Sequence, residues 1–159
     1  MGYTLNFVIP QGPTGPTGAS PSVAYGGKYS NTTQTINLAI GSQSRIALAN
    51  NMPSANVTYV PTDCITINQA GTYEIDYSAN LSAALATTLT MAVRANGTNI
   101  PSTVITRALS VGTTSVYSGS IIATLAAGDV LDMAISALIA VGITLGSGVN
   151  ATLSVKKIN

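Results

Sequence analysis

Apolar and polar side chains alternate strictly through residues 73–82. Tyr73, Ile75, Tyr77, Ala79 and Leu81 fall on one face, and Glu74, Asp76, Ser78, Asn80 and Ser82 on the other. Successive side chains of a strand point to opposite faces, so this run predicts a half-buried β-strand. Gln69-Ala70-Gly71 forms a turn before it, after a short strand over 64–67. Leu89, Met91 and Val93 alternate next and stop at Asn96-Gly97, a strong hairpin signal. Further strands are predicted over 103–109, 115–125, 130–139, 141–145 and 149–158, with turns at Ala127-Gly128-Asp129 and Gly146-Ser147-Gly148. Breaks every 8–12 residues or so predict an all-β sandwich or barrel. No helix is required; the Ala-rich stretch 79–86 is the one place where a helical turn could enter.

Two later stretches, Ile121-Ile122-Ala123 and Leu138-Ile139-Ala140-Val141, do not alternate. A sandwich buries one face of each sheet, so a strand apolar on both faces needs a second cover. Other copies of the chain are the simplest source, since obligate interfaces resemble a domain core cut in half. Tyr73, Ile75, Tyr77, Leu131, Met133 and Ile135 are accordingly expected in the core or at a trimer interface.

Three regions follow from the pattern: a lead-in over 1–11, a Gly-Pro-Thr segment over 12–20, and a β domain over 21–159. In the middle segment Gly12, Gly15 and Gly18 recur at every third position, with Pro13 and Pro16 between them. Three polyproline-type chains wind together only where the residue at the crowded axis has no side chain, so this period reads as collagen-like. Thr14 and Thr17 then point outward. The nine residues span roughly 28 Å at ~3.1 Å per residue, too short to hold a triple helix without help. A three-chain entry and a doubly covered sheet both imply a homotrimer.

Composition narrows the function. The 159 residues suit one domain, and only 7% are charged, with six Lys+Arg against five Asp+Glu. A phosphate-tracking surface needs a dense basic field, so nucleic acid is excluded as a partner, as is electrostatic docking to an acidic membrane. The apolar run 130–145 contains Asp132, Ser136, Gly142 and Thr144, and reads as two buried strands, not a membrane span. The amino terminus lacks the basic residues that begin a secretory signal.

With no His and one Cys, His triads, Cys clusters and intrachain disulfides are excluded. Cys64 reads as a small buried side chain. Glu74 and Asp76 share a strand face about 7 Å apart, a spacing that would suit a glycosidase pair or part of a calcium site. They are read instead as solvated carboxylates. Asp129 reads as a turn former whose side chain bonds nearby amides. Arg45, Arg94 and Arg107 read as partners of the acids or as interface residues. A serine or threonine nucleophile needs a base, and neither His nor a Gly-x-Ser-x-Gly elbow beside a lysine is present. No enzyme, cofactor or metal is expected.

GPTGPTGAS followed by an all-β domain resembles the BclA-type collagen-like spore-surface glycoproteins of bacilli and clostridia. The domain is similar to their carboxy-terminal trimerisation domain, a jelly roll of the complement C1q and tumour necrosis factor type. The likeness rests on residues 70–77 (AGTYEIDY), on Arg94-Ala95-Asn96-Gly97, on Ser118-Gly119-Ser120, on the Leu-x-x-Gly-Asp pattern of residues 125–131, and on the closing residues 151–155. The resemblance implies a homotrimeric head at the tip of an exosporium filament, with sugars on Thr14 and Thr17. It implies other spore-surface proteins or host ligands as further partners. An alternative is a trimeric adhesin or receptor-binding head, C1q-like or phage-fibre-like, whose apical loops at 96–101 and 111–115 bind host or glycan ligands. A hydrolase using Glu74 and Asp76 is the third.

Overall fold

A computed structural model describes residues 1–4, 8, 10–12 and 22–159. Of the collagen-like glycines it describes Gly12, which is exposed; Thr14, Gly15, Thr17 and Gly18 lie outside the described residues.

Short strands open the domain: β1 (Tyr25–Ser30), β2 (Gln34–Leu38), β3 (Gln43–Arg45), β4 (Asn50–Asn51), β5 (Val57–Thr58) and β6 (Ile65–Ile67). Then come β7 (Gly71–Ala83), β8 (Thr87–Ala95), β9 (Thr98–Asn99) and a one-turn 3-10 helix (Pro101–Thr103). The chain closes with β10 (Ile105–Leu109), β11 (Thr114–Leu125), β12 (Val130–Ala137), β13 (Val141–Leu145) and β14 (Ala151–Lys157).

The strands form two antiparallel sheets. In the first, β7 is central, with β11 along one edge; β14 and β13 share the other, and pair outward to β1 and β2 respectively. The second runs β10-β8-β12-β6-β5, with β3 also on β12 and β9 on β8. The breaks between β1 and β2 and between β13 and β14 sit side by side. Asn150 ties them together, its Nδ2 donating to the Thr32 carbonyl at 2.9 Å and the Gly146 carbonyl at 2.5 Å.

The alternation over 73–82 places Tyr73, Ile75, Tyr77, Ala79 and Leu81 against the other sheet, each at most 4% exposed. Leu131, Met133 and Ile135 of β12 lie in the same core at 0% exposure. Burying side chains of this size contributes about 1.5–3 kcal/mol each. These eight residues are therefore enclosed by the chain's own two sheets.

Three expectations are corrected. Residues 138 and 139 are not strand: β12 ends at Ala137, and residues 138–140 carry the chain from one sheet into the other, leaving Leu138 74% exposed. No Gly, Pro or Asn marks that corner, so composition alone reads it as strand. Strand structure continues through Ala83, and the helical turn falls at Pro101–Thr103, where Pro101 pre-sets the backbone angle. Ile121 and Ala123 face inward, whereas Ile122 faces out at 65% exposure, so this stretch does alternate.

Candidate functional site: the open face of the first sheet

The two sheets differ in what their outer faces carry. On the second sheet, Asp132 of β12 points outward yet is only 3% exposed, because two arginines close over it. Arg94 Nε and Nη2 donate to its two oxygens at 2.7 and 2.8 Å, and Arg45 Nε donates at 2.8 Å. The Asp132 hydrogen bond and its charge hold the Arg94 pKa above its ordinary value, against the opposing effect of burial. Gln43 extends the network, accepting from Arg94 and donating to Asn99. The centre of this face is covered by its own side chains; Gln43, Thr88, Thr90 and Ser136 line an open depression beside it.

The first sheet has no such charged cover; only the Met52 side chain lies over it, against Gly27 at one edge. Its outward residues fall into rows set by the strand register. One row is Ser118, Ser78, Thr152 and Tyr29; the next is Ser120, Asp76, Ser154 and Gly27; the third is Ile122, Glu74, Lys156 and Tyr25. The centre is therefore built of serine and threonine, which stand low and let a neighbouring backbone approach closely. The rim is larger and more apolar, with Ile122 65%, Val116 49% and Tyr25 41% exposed. Glu74 lies directly opposite Lys156, and Asp76 opposite Ser154 and Ser120. Among the described residues no group of three His, Cys, Asp or Glu side chains comes together as a metal site.

Behind this face the tyrosines hold the sandwich in register. Tyr73 donates its hydroxyl to the Gln69 carbonyl at 2.8 Å, and Tyr77 to the Thr103 carbonyl at 3.2 Å. Burial raises the pKa of Tyr73, Tyr77 and Tyr117, and that of Cys64. Arg107 stacks over the Tyr117 ring, 5.7 Å from its centroid, and donates to the Val116 carbonyl at 3.0 Å, closing the open edge between β10 and β11. Lys28, buried on β1, donates to Asn51 Oδ1 at 2.6 Å.

The ends of the sandwich are also distinct. At one end the chain enters through residues 22–24 beside its own C-terminus: Lys157 N donates to the Ala24 carbonyl, and Thr72 N to the Asn159 carbonyl. The Asn96-Gly97 turn belongs to this end. Both residues have positive φ, 52° and 80°, as the tight hairpin turn requires. Asn96 Nδ2 donates to Asp129 Oδ1 at 2.8 Å, and the Ala126 amide donates to Asp129 Oδ2 at 2.8 Å. Residues 110–113 lie at the opposite end, where Val111 bridges to Ala83. The two loops expected to share an apex, 96–101 and 111–115, are thus separated by the length of the sandwich.

The expected pairing of Arg45 and Arg94 with acids is met at Asp132, an acid that the sequence did not single out. Asp132 pairs with residues 38 and 87 positions away, and the available signal was only a charged residue inside an apolar strand.

The model of the BclA C-terminal domain matches residues 27–159. The comparison with curated proteins returns no match. Among solved structures, murine APRIL at pH 5.0 superposes with a TM-score of 0.58 at 10% identity, covering 86% of this chain and 100% of that one. The globular domain of zebrafish complement 1qA gives 0.54 at 15% identity, covering 86% and 98%. Eiger TNF from S. frugiperda gives 0.54 at 10%, covering 86% and 92%. The sandwich is a C1q/TNF-like jelly roll, and the chain belongs to the BclA C-terminal domain family.

Proposed function

We propose that this domain is a structural assembly head. Three copies pack through the open face of the first sheet, hold three chain entries together at one end, and so nucleate a collagen-like stalk from the Gly12, Gly15 and Gly18 triplets. The observation that carries this reading is the difference between the two outer faces. One is closed at its centre by Asp132, Arg45 and Arg94; the other presents a low hydroxyl floor with an apolar rim, covered only at one edge, where the Met52 side chain lies against Gly27.

The chain entry lies at a single end of the sandwich, so chains assembled side by side start their stalks together. Held there, the three tails experience a high effective concentration, which favours winding. Membership of the BclA C-terminal domain family supports placing the head on a spore surface, at the tip of an exosporium filament, with Thr14 and Thr17 as glycosylated positions. The reading assigns the domain no catalysis.

The test is the mass of the purified chain by sedimentation equilibrium, with and without residues 1–20. A mass of three chains for both forms is expected, since the head drives association. A single-chain mass at micromolar concentration refutes the proposal.

A further inference from the structure

Charge is segregated along the sandwich. Residues 29–44, 77–93, 108–128 and 133–155 contain no Asp, Glu, Lys or Arg. Each of these runs passes through one connection at the end remote from the chain entry: 39–42, 84–86, 110–113 and 138–140. The register groups the four. Leu38 pairs with Val141, Thr87 with Leu109, Ala83 with Val111, and the Ala84 amide donates to the Gly142 carbonyl. Along the strands the nearest charges are Arg45, engaged with Asp132, and Arg107, engaged with Tyr117 and Val116.

These connections hold only Ala, Ile, Leu, Val, Gly, Ser and Thr. Their large side chains point into solvent: Leu138 is 74% exposed, Ile40 73%, Val111 60%, Leu85 55% and Ile139 41%. Five bare aliphatic side chains gathered on one charge-free end form an apolar contact surface.

We propose that this distal end is a lipid-contacting tip, whose aliphatic loop side chains enter the hydrocarbon–water boundary of an uncharged lipid layer. The composition selects the occupant. A protein partner is usually gripped by Tyr, Trp or Arg anchors, and the four connections contain none. An anionic membrane attracts Lys and Arg, also missing there. A neutral lipid layer asks only for aliphatic surface and for no charge that must lose its water. Shallow insertion leaves the loop carbonyls and amides within reach of interfacial water, so the backbone needs no new partners. Among the described residues no helix is long and apolar enough to cross a membrane, and this contact requires neither a span nor electrostatic docking. The assembly proposed above enters only as multiplicity, since three tips side by side would bind more tightly than one.

The test is flotation of the full chain with phosphatidylcholine vesicles, and with vesicles that also carry phosphatidylserine. Equal co-flotation with both, insensitive to added salt, is expected. The double substitution Ile40→Ser with Leu138→Ser should lower partitioning about tenfold or more. Both side chains are exposed, so the variant should keep the parent's melting temperature and mass. Absence of parent chain from the floating fraction overturns the proposal. So does binding that requires phosphatidylserine, or an unchanged variant. A lipid-free mass double that of the assembled head, halved by the same substitutions, would assign the tip to a second copy instead. Sedimentation of the same samples separates the two proposals: a single-chain mass with salt-insensitive flotation would remove the trimer and leave the tip.

Discussion

Gly119 of β11 sits directly opposite Tyr77 of β7, and the Tyr77 phenol occupies the space that a side chain at position 119 would fill. The phenol has nowhere to go. It is 4% exposed, and its hydroxyl donates to the Thr103 carbonyl across the sandwich. Gly119→Ala should therefore destabilise the fold by about 1–3 kcal/mol through overpacking. Thermal unfolding of the variant checks this. Tyr77→Phe in the same background should recover part of the loss, because it removes the hydroxyl oxygen that meets the new methyl group.

Alkaline pH should unfold the domain through its tyrosines. Tyr73, Tyr77 and Tyr117 have pKa values raised by burial above the ordinary value near 10. Above about pH 10 the unfolded chain sheds phenolic protons that the folded chain keeps. The unfolded state then binds fewer protons, so stability falls as pH rises, by up to about 1.4 kcal/mol per pH unit for each such tyrosine. Below pH 10 these groups contribute no pH dependence. Melting curves from pH 8 to 11 with ultraviolet titration of the phenolate should show unfolding and phenol ionisation rising together; ionisation of all tyrosines in a still-folded domain would contradict it.

Asp132 predicts a different loss. Its carboxylate is nearly inaccessible and accepts from both Arg45 and Arg94. Asp132→Asn keeps the shape but leaves two guanidinium groups facing a neutral amide. Removing one partner of a buried pair costs roughly 3–5 kcal/mol, and the partial exposure of Arg45 puts the expected value at the lower end, about 3 kcal/mol. Denaturant midpoints would measure it. Arg45→Gln should cost much less, because Arg94 alone still engages both carboxylate oxygens.

These sites show where sequence patterns carry structural information and where they do not. The alternation over 73–82 marks a half-buried strand because the period of two is a local property of the backbone. Asn96-Gly97 and Gly128-Asp129 mark turns for the same reason: the residues that favour those angles stand at those positions. The corner at 138–140 has no such residue, and only the need to pass between sheets creates it. The Asp132 pairing depends on β3 and β8 flanking β12, a fact of topology rather than of local sequence. Which loops share an end is likewise set by strand order, and so 96–101 and 111–115 could not be assigned to an end from their composition.

The assembly surface can be tested at its centre. Ser78 stands between Ser118 of β11 and Thr152 of β14, at the floor of the open face. If other copies pack there, Ser78→Arg places a long charged side chain where backbones must approach, with no acid in its own row. A charge left unpaired in such a contact costs roughly 3–5 kcal/mol per interface, enough to dissociate the head at micromolar concentration. The expected result is a fall from a three-chain to a one-chain mass, with the strand content unchanged because Ser78 faces outward. The parent should also melt at a lower temperature on dilution, since association stabilises the folded chain by mass action, and the variant should not. Ser136→Arg, on the self-covered sheet, is the control and should retain the parent mass. If Ser78→Arg assembles as the parent does, the open face is not the contact.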